Sequence, residues 1–157
     1  MNKFLLIVLF SFTFVFGIDK DNDLIPDDID KCLETPDGVF VTSNGCTQQL
    51  KRIIHFKHAS YTIEQSEQQI LEEIIELSIE GFGYKILIQG HTDSVSDAKY
   101  NLELSKKRAI TIKNIILNSK IDKNRIKIEW YGEIMPISSN ITEKSRAKNR
   151  RVEITFK

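Results

Sequence analysis

Residues 84–109 read YKILIQGHTDSVSDAKYNLELSKKRA. Tyr84, Ile86 and Ile88 fall on one side of an alternating run that ends at Gly90, the pattern of a half-buried strand. A polar stretch, HTDSVSDAKY, follows from His91 to Tyr100. Asn101 is a residue type that caps helices. Beyond it Ala109, Ile112 and Ile116 make an apolar stripe in a helix running to about Asn118. A strand, a polar loop and an amphipathic helix therefore stand in succession, with the loop at the strand's end.

The flanking sequence repeats that alternation of periods. Ile53 to His58 reads as a short strand. Glu64 to Glu80 reads as a helix, with Ile70, Leu71, Ile74, Ile75 and Leu77 at helical spacing, and Gly81 and Gly83 end it. Arg125 to Tyr131 alternates through Ile126, Ile128 and Trp130. Thr142 to Asn149 is short and helical with Thr142 as cap, and Val152, Ile154 and Phe156 alternate in a last strand. The order β-α-β-α-β-(α)-β predicts an α+β fold, a two-layer α/β sandwich whose helices cover one face of the sheet.

Ahead of this region the text changes. Residues 1–17, MNKFLLIVLFSFTFVFG, place Lys3 before an apolar run, with Val15 and Gly17 at the small-residue positions of a cleavage site. The run is short for a bilayer span and predicts a signal peptide. No Cys follows it to carry a lipid anchor. Residues 18–48 are acidic, rich in turn formers and without sustained periodicity; residues 49–157 form the main domain. Export would expose Cys32 and Cys46 to an oxidising compartment, where such a pair becomes a disulfide. The whole chain carries 22 basic and 22 acidic residues, acidic early and basic late, so no overall charge draws it to nucleic acid or anionic lipid. No second apolar stretch is long enough for a membrane helix, and alternating segments are too few for a membrane barrel.

Thr92-Asp93, Tyr100-Asn101, Leu104-Ser105-x-x-Arg108-Ala109, Gly132-Glu133-x-x-Pro136, and Asn140-x-Thr142 through Arg146-Ala147-x-Asn149-Arg150-Arg151-Val152 occur in this order. These strings resemble the OmpA-like peptidoglycan-binding domain over roughly residues 50–157. The resemblance implies a ligand: the zwitterionic diamino-acid centre of the cell-wall stem peptide, usually diaminopimelate. One carboxylate and one guanidinium suit such a centre. Asp93 would accept the ammonium, and Arg108 would hold the carboxylate in a fork that Lys cannot copy. Thr92 could add a hydroxyl, and Asn101 either binds ligand or caps the helix. The expected product is a monomeric, periplasmic tether between the peptidoglycan wall and an outer-membrane or envelope protein, and not an enzyme.

Several positions depart from the family pattern. Ser96 stands where Gly is frequent, which would matter if the backbone there needs φ > 0. Ser145 replaces the Gly of G-R-A, and Trp130 replaces the first Gly of G-Y-G-E. Lys57 and His58 bring positive character where acidic or amide residues are frequent. The basic cluster Arg146, Asn149, Arg150 and Arg151 reads either as an attraction to anionic wall or as a solvated face with structural hydrogen bonds.

In the leader, Asp19, Asp21, Asp23, Asp27 and Asp30 precede Cys32 with spacing that looks like a thrombospondin type 3 calcium repeat. That resemblance implies Ca2+ as a cofactor held by these carboxylates, although Leu24 occupies the repeat's Gly position and Leu33 its Pro position.

Three other functions are weighed against this reading. His55-x-x-His58 suits a metal site on a helix, but on a strand the two rings would point to opposite faces. No nucleophile and base stand together. Lys144 to Arg151 suggests nucleic acid, which secretion and zero net charge oppose. The stronger alternative is an OmpA-fold interaction or adhesion module with a degenerate pocket.

Overall fold

The computed structural model describes residues 18–157, and the expected signal peptide, residues 1–17, lies outside them. The elements are β1 (Leu50–His55), α1 (Gln68–Glu80), β2 (Ile86–Gly90), α2 (Ala98–Asn118), β3 (Ile126–Trp130), α3 (Glu143–Asn149) and β4 (Arg151–Phe156). The sheet runs β1-β4-β2-β3. β4 is antiparallel to both of its neighbours, while β2 and β3 are parallel and joined through α2.

Register explains the core. Ile54 lies opposite Val152, Ile88 opposite Ile154, and Ile86 opposite Phe156, so their side chains share one face. Leu71 and Ile74 of α1 and Ala109, Ile112 and Ile116 of α2 cover that face. Each large aliphatic so buried stabilises the fold by about 1.5–3 kcal/mol relative to exposure. Gly90 lets α2 approach closely, since a Cβ there would come within 2.1 Å of the Ser105 carbonyl oxygen. The other sheet face is polar. On it Glu153 is bonded by Arg151 at 2.7 Å and Lys51 at 2.6 Å.

The expected two-layer α+β architecture and element order are present, with boundary corrections. The first strand ends at His55, and Phe56 to Ser60 leave it as a loop; Ala59 there has φ +53°. The second strand begins at Ile86, because Tyr84 turns its hydroxyl to the leader instead of extending the ladder. Asn101 is not the cap of α2. Asp97 is, accepting from the Tyr100 N–H at 2.9 Å, so the helix starts at Ala98. Thr142 caps α3 as expected, and Ser145 completes a capping box with it. Ser145 in the Gly position is thereby accounted for. Ser96 does not adopt positive φ, so its backbone has no need of Gly.

The leader has only an isolated bridge between Val41 and Thr47 as regular pairing, and Cys32 and Cys46 are disulfide-bonded. It docks where β2 begins. Tyr84 Oη donates to the Gln48 carbonyl at 2.6 Å and accepts from the Phe40 N–H at 2.9 Å. Asp93 lies past the other end of the same strand.

Candidate functional site

On α2, Asn101, Ser105 and Arg108 fall at helical spacing on the buried face. Arg108 is completely buried. Its Nε donates to the Ser60 carbonyl at 2.8 Å, Nη1 to the His91 carbonyl at 2.8 Å and Nη2 to the Lys57 carbonyl at 3.0 Å. The guanidinium also lies 5.1 Å from the centre of the Phe56 ring. Arg108 thus fastens the β1–α1 loop to the end of β2. A guanidinium has five N–H bonds, so two remain beyond these three. Burial pulls its pKa down to about 10 against an upward push from Asp93, which leaves it charged at neutral pH.

Asp93 and Arg108 do not pair with each other. Asp93 Oδ2 is bonded instead by Arg150 Nη1 at 3.0 Å, with both side chains over nine-tenths buried. Arg150 also donates to the Phe56 carbonyl at 3.1 Å and to Glu143 at 2.8 Å. Asp93 Oδ1 has only a long contact from the Val95 N–H, 3.4 Å. His58 reaches toward Asp93 from the β1–α1 loop, Nδ1 to Oδ2 3.8 Å. Lys57 is turned to Glu64, so its charge is matched there and not directed at Asp93.

Thr92 is buried, and its Oγ1 has no hydrogen-bond partner, while its N–H donates to the Gly132 carbonyl at 2.9 Å. Asn101 donates to the Ser96 carbonyl and to Glu133, so its amide ties the loop to the helix. Gly132 has φ +55° and sits against α2 at Leu102, where its N–H reaches Ser105 Oγ at 3.0 Å. His91 stacks on Tyr131 with 5.4 Å between centroids and has no partner on either ring nitrogen. Burial first, then Arg151, push its pKa down to about 4, against an opposing effect of Glu153.

Arg150 is the site residue that sequence reasoning missed, having been grouped with a basic face. Its signal was the Asn149-Arg150-Arg151-Val152 string, which carries no spatial address. That cluster divides among structural bonds. Asn149 Oδ1 accepts from Ile137 and Ser138, Arg146 holds the Asn140 and Ile141 carbonyls, and Arg151 holds Glu153.

In the leader, ligand atoms of Asp19, Asp21 and Asp23 lie within 4.8 Å of one another, the one such group among the described residues. His55 and His58 join none. Each carboxylate of the group spends one oxygen on a backbone N–H: Asp19 on Leu24, Asp21 on Thr35, Asp23 on Ile25. Asp30 does the same with Cys32. The second oxygen of all four is buried without a partner. Burial raises the Asp23 pKa against its backbone hydrogen bond, and Asp21, Asp30 and Asp19 add to the rise. Buried, unpartnered carboxylate oxygens fit a hard divalent cation such as Ca2+. Asp27 is outside the group and bonds the Lys20 N–H. Leu24 takes φ +72°, the conformation that the repeat's Gly would supply.

A mixed four-stranded sheet, helices on one face and a polar loop at the end of a central strand define the class, a small α+β domain of OmpA-like architecture. The chain belongs to the OmpA family, whose model matches residues 55–150. It is 31% identical over 141 residues to outer membrane porin F of Pseudomonas aeruginosa, covering 86% of this chain and 40% of that protein. It is 34% identical over 130 residues to motility protein B of Bacillus subtilis, covering 80% and 50%. The chain therefore spans half or less of these curated relatives. Among solved structures, the peptidoglycan-associated lipoprotein of Burkholderia pseudomallei superposes with a TM-score of 0.64 at 26% identity, covering 68% of this chain and 90% of that one. No helix among the described residues is long and apolar enough to cross a membrane.

Proposed function

We propose that the chain binds peptidoglycan non-covalently, through the zwitterionic diaminopimelate centre of the stem peptide, and tethers the cell envelope to the wall from the periplasm. One observation carries the reading. A buried guanidinium on α2, held by three carbonyls with two N–H bonds to spare, grips the His91 carbonyl two residues before a carboxylate, Asp93, whose Oδ1 is nearly free. The ligand carboxylate takes the spare fork of Arg108, its ammonium goes to Asp93, and the Thr92 hydroxyl is the adjacent unused donor. Asn101 acts behind them by holding the loop. The similarity to the Burkholderia peptidoglycan-associated lipoprotein and the family match support peptidoglycan as the ligand class. An outer-membrane or envelope protein is the second partner that a tether requires. In the leader, Ca2+ is proposed to bind Asp19, Asp21 and Asp23, with Asp30 beside them.

Loss of one member of such a charge pair costs about 2–5 kcal/mol of binding. The test is sedimentation of the full-length chain with purified peptidoglycan at moderate salt, beside Asp93→Asn. Arg108→Ala is a poor probe, since it also removes three structural bonds. A folded Asp93→Asn chain that stays in solution while wild type sediments supports the pocket. Equal sedimentation favours the alternative, an interaction module with a degenerate pocket. That alternative draws on the Asp93–Arg150 pair, which already satisfies one carboxylate oxygen internally.

A further inference from the structure

An ionisable side chain stands beside Asp93 of the proposed ligand site. His58 is 53% exposed, and its Nδ1 stands 3.8 Å from Oδ2 of Asp93, itself only 5% exposed. The backbone around His58 is anchored, because the carbonyls on either side, of Lys57 and Ser60, are both bonded by Arg108.

The charges around it come from every element that meets there. Asp93 lies on the β2–α2 loop. Arg150 at the end of α3 bonds Asp93 and Glu143. Arg108 of α2 lies behind the loop, and Lys57 on the same loop pairs with Glu64 ahead of α1. Carboxylates, guanidiniums and lysine keep one charge between pH 5 and 8, while imidazole changes its charge in that interval. His91, held near 4, stays neutral through it.

We propose that His58 makes ligand capture pH-dependent. Neutral, it leaves the ligand's ammonium unopposed at Oδ1 of Asp93; as imidazolium it adds a second positive charge to that of Arg150 on the Oδ2 side and repels that ammonium. The inference rests on the proposed zwitterion pocket and adds a condition to it: the tether holds at neutral pH and loosens on acidification. Near water, a unit charge at this separation corresponds to about a fivefold change in affinity.

The experiment is calorimetric titration of the full-length chain with free diaminopimelate at about pH 8 and about pH 5.5, the two sides of imidazole ionisation. Wild type should bind about fivefold more weakly at the lower pH. His58→Gln should bind like alkaline wild type at both, and His58→Lys should bind weakly at both. A pH-independent wild type overturns the inference, as does a His58→Gln chain that weakens on acidification as wild type does; Asp93-dependent binding in either case leaves the pocket standing. Absence of any Asp93-dependent binding removes the pocket and this inference together.

Discussion

The acidic leader and the ligand loop both place carboxylates out of water, and they satisfy them in opposite ways. In the leader, Asp19, Asp21, Asp23 and Asp30 each hold one backbone N–H and leave a second, buried oxygen with nothing. In the loop, Asp93 meets Arg150, and the neighbouring guanidinium of Arg108 meets three carbonyls. Buried charge is costly unless it is matched. Under the calcium proposal the leader is matched from outside, by a cation, and its order would depend on that cation. The domain is matched from within, and its order depends on its core and its arginines. The difference separates what each region needs in order to fold from what each offers to bind.

The largest expected effect lies on the domain side. Arg108→Ala strips three carbonyls of their donor and should destabilise the domain by about 3–5 kcal/mol. Urea unfolding followed by Trp130 fluorescence measures this, and a loss below about 1 kcal/mol would mean that the guanidinium is not structural. On the leader side, calcium at a hundredfold excess over its dissociation constant should raise the opening free energy by about 2.7 kcal/mol. Hydrogen exchange should report it at the amides of Leu24, Ile25, Cys32 and Thr35, and a chelator should reverse it without touching the amides of β2 and α2. Protection that spreads equally over both regions would break the contrast. The smallest effect belongs to Leu24→Gly. Relief of φ +72° should stabilise the calcium-loaded leader by about 1 kcal/mol, seen at the same amides.

Much of the domain was legible because its signals are local. The alternation of Tyr84, Ile86 and Ile88 and the stripe Ala109, Ile112 and Ile116 are periods that a chain displays wherever it is placed. The acidic spacing and the cysteine pair were equally readable, and the disulfide is present. Two kinds of fact were not. Asn101 and Asp97 are both good caps four residues apart. Asp97 takes the role because α2 already runs through Asn101, whose N–H donates to the Asp97 carbonyl while its amide turns to Ser96 and Glu133, contacts that the sequence does not display. Arg150 reaches Asp93 across 57 residues only because α3 and β4 bring it back beside the end of β2. Phe56 to His58 reads as a continuation of the first strand, and the φ +53° of Ala59 just beyond it has no signature in an alanine.

The central claim is that Asp93 and Arg108 together recognise a zwitterion, and titration of the full-length chain at neutral pH with diaminopimelate and, separately, with pimelate tests it most directly. Pimelate has the same carbon chain and both carboxylates but no amines. The account predicts saturable binding of diaminopimelate that Asp93→Asn abolishes, and no measurable binding of pimelate. Equal binding of the two compounds, or diaminopimelate binding unchanged in Asp93→Asn, would contradict it.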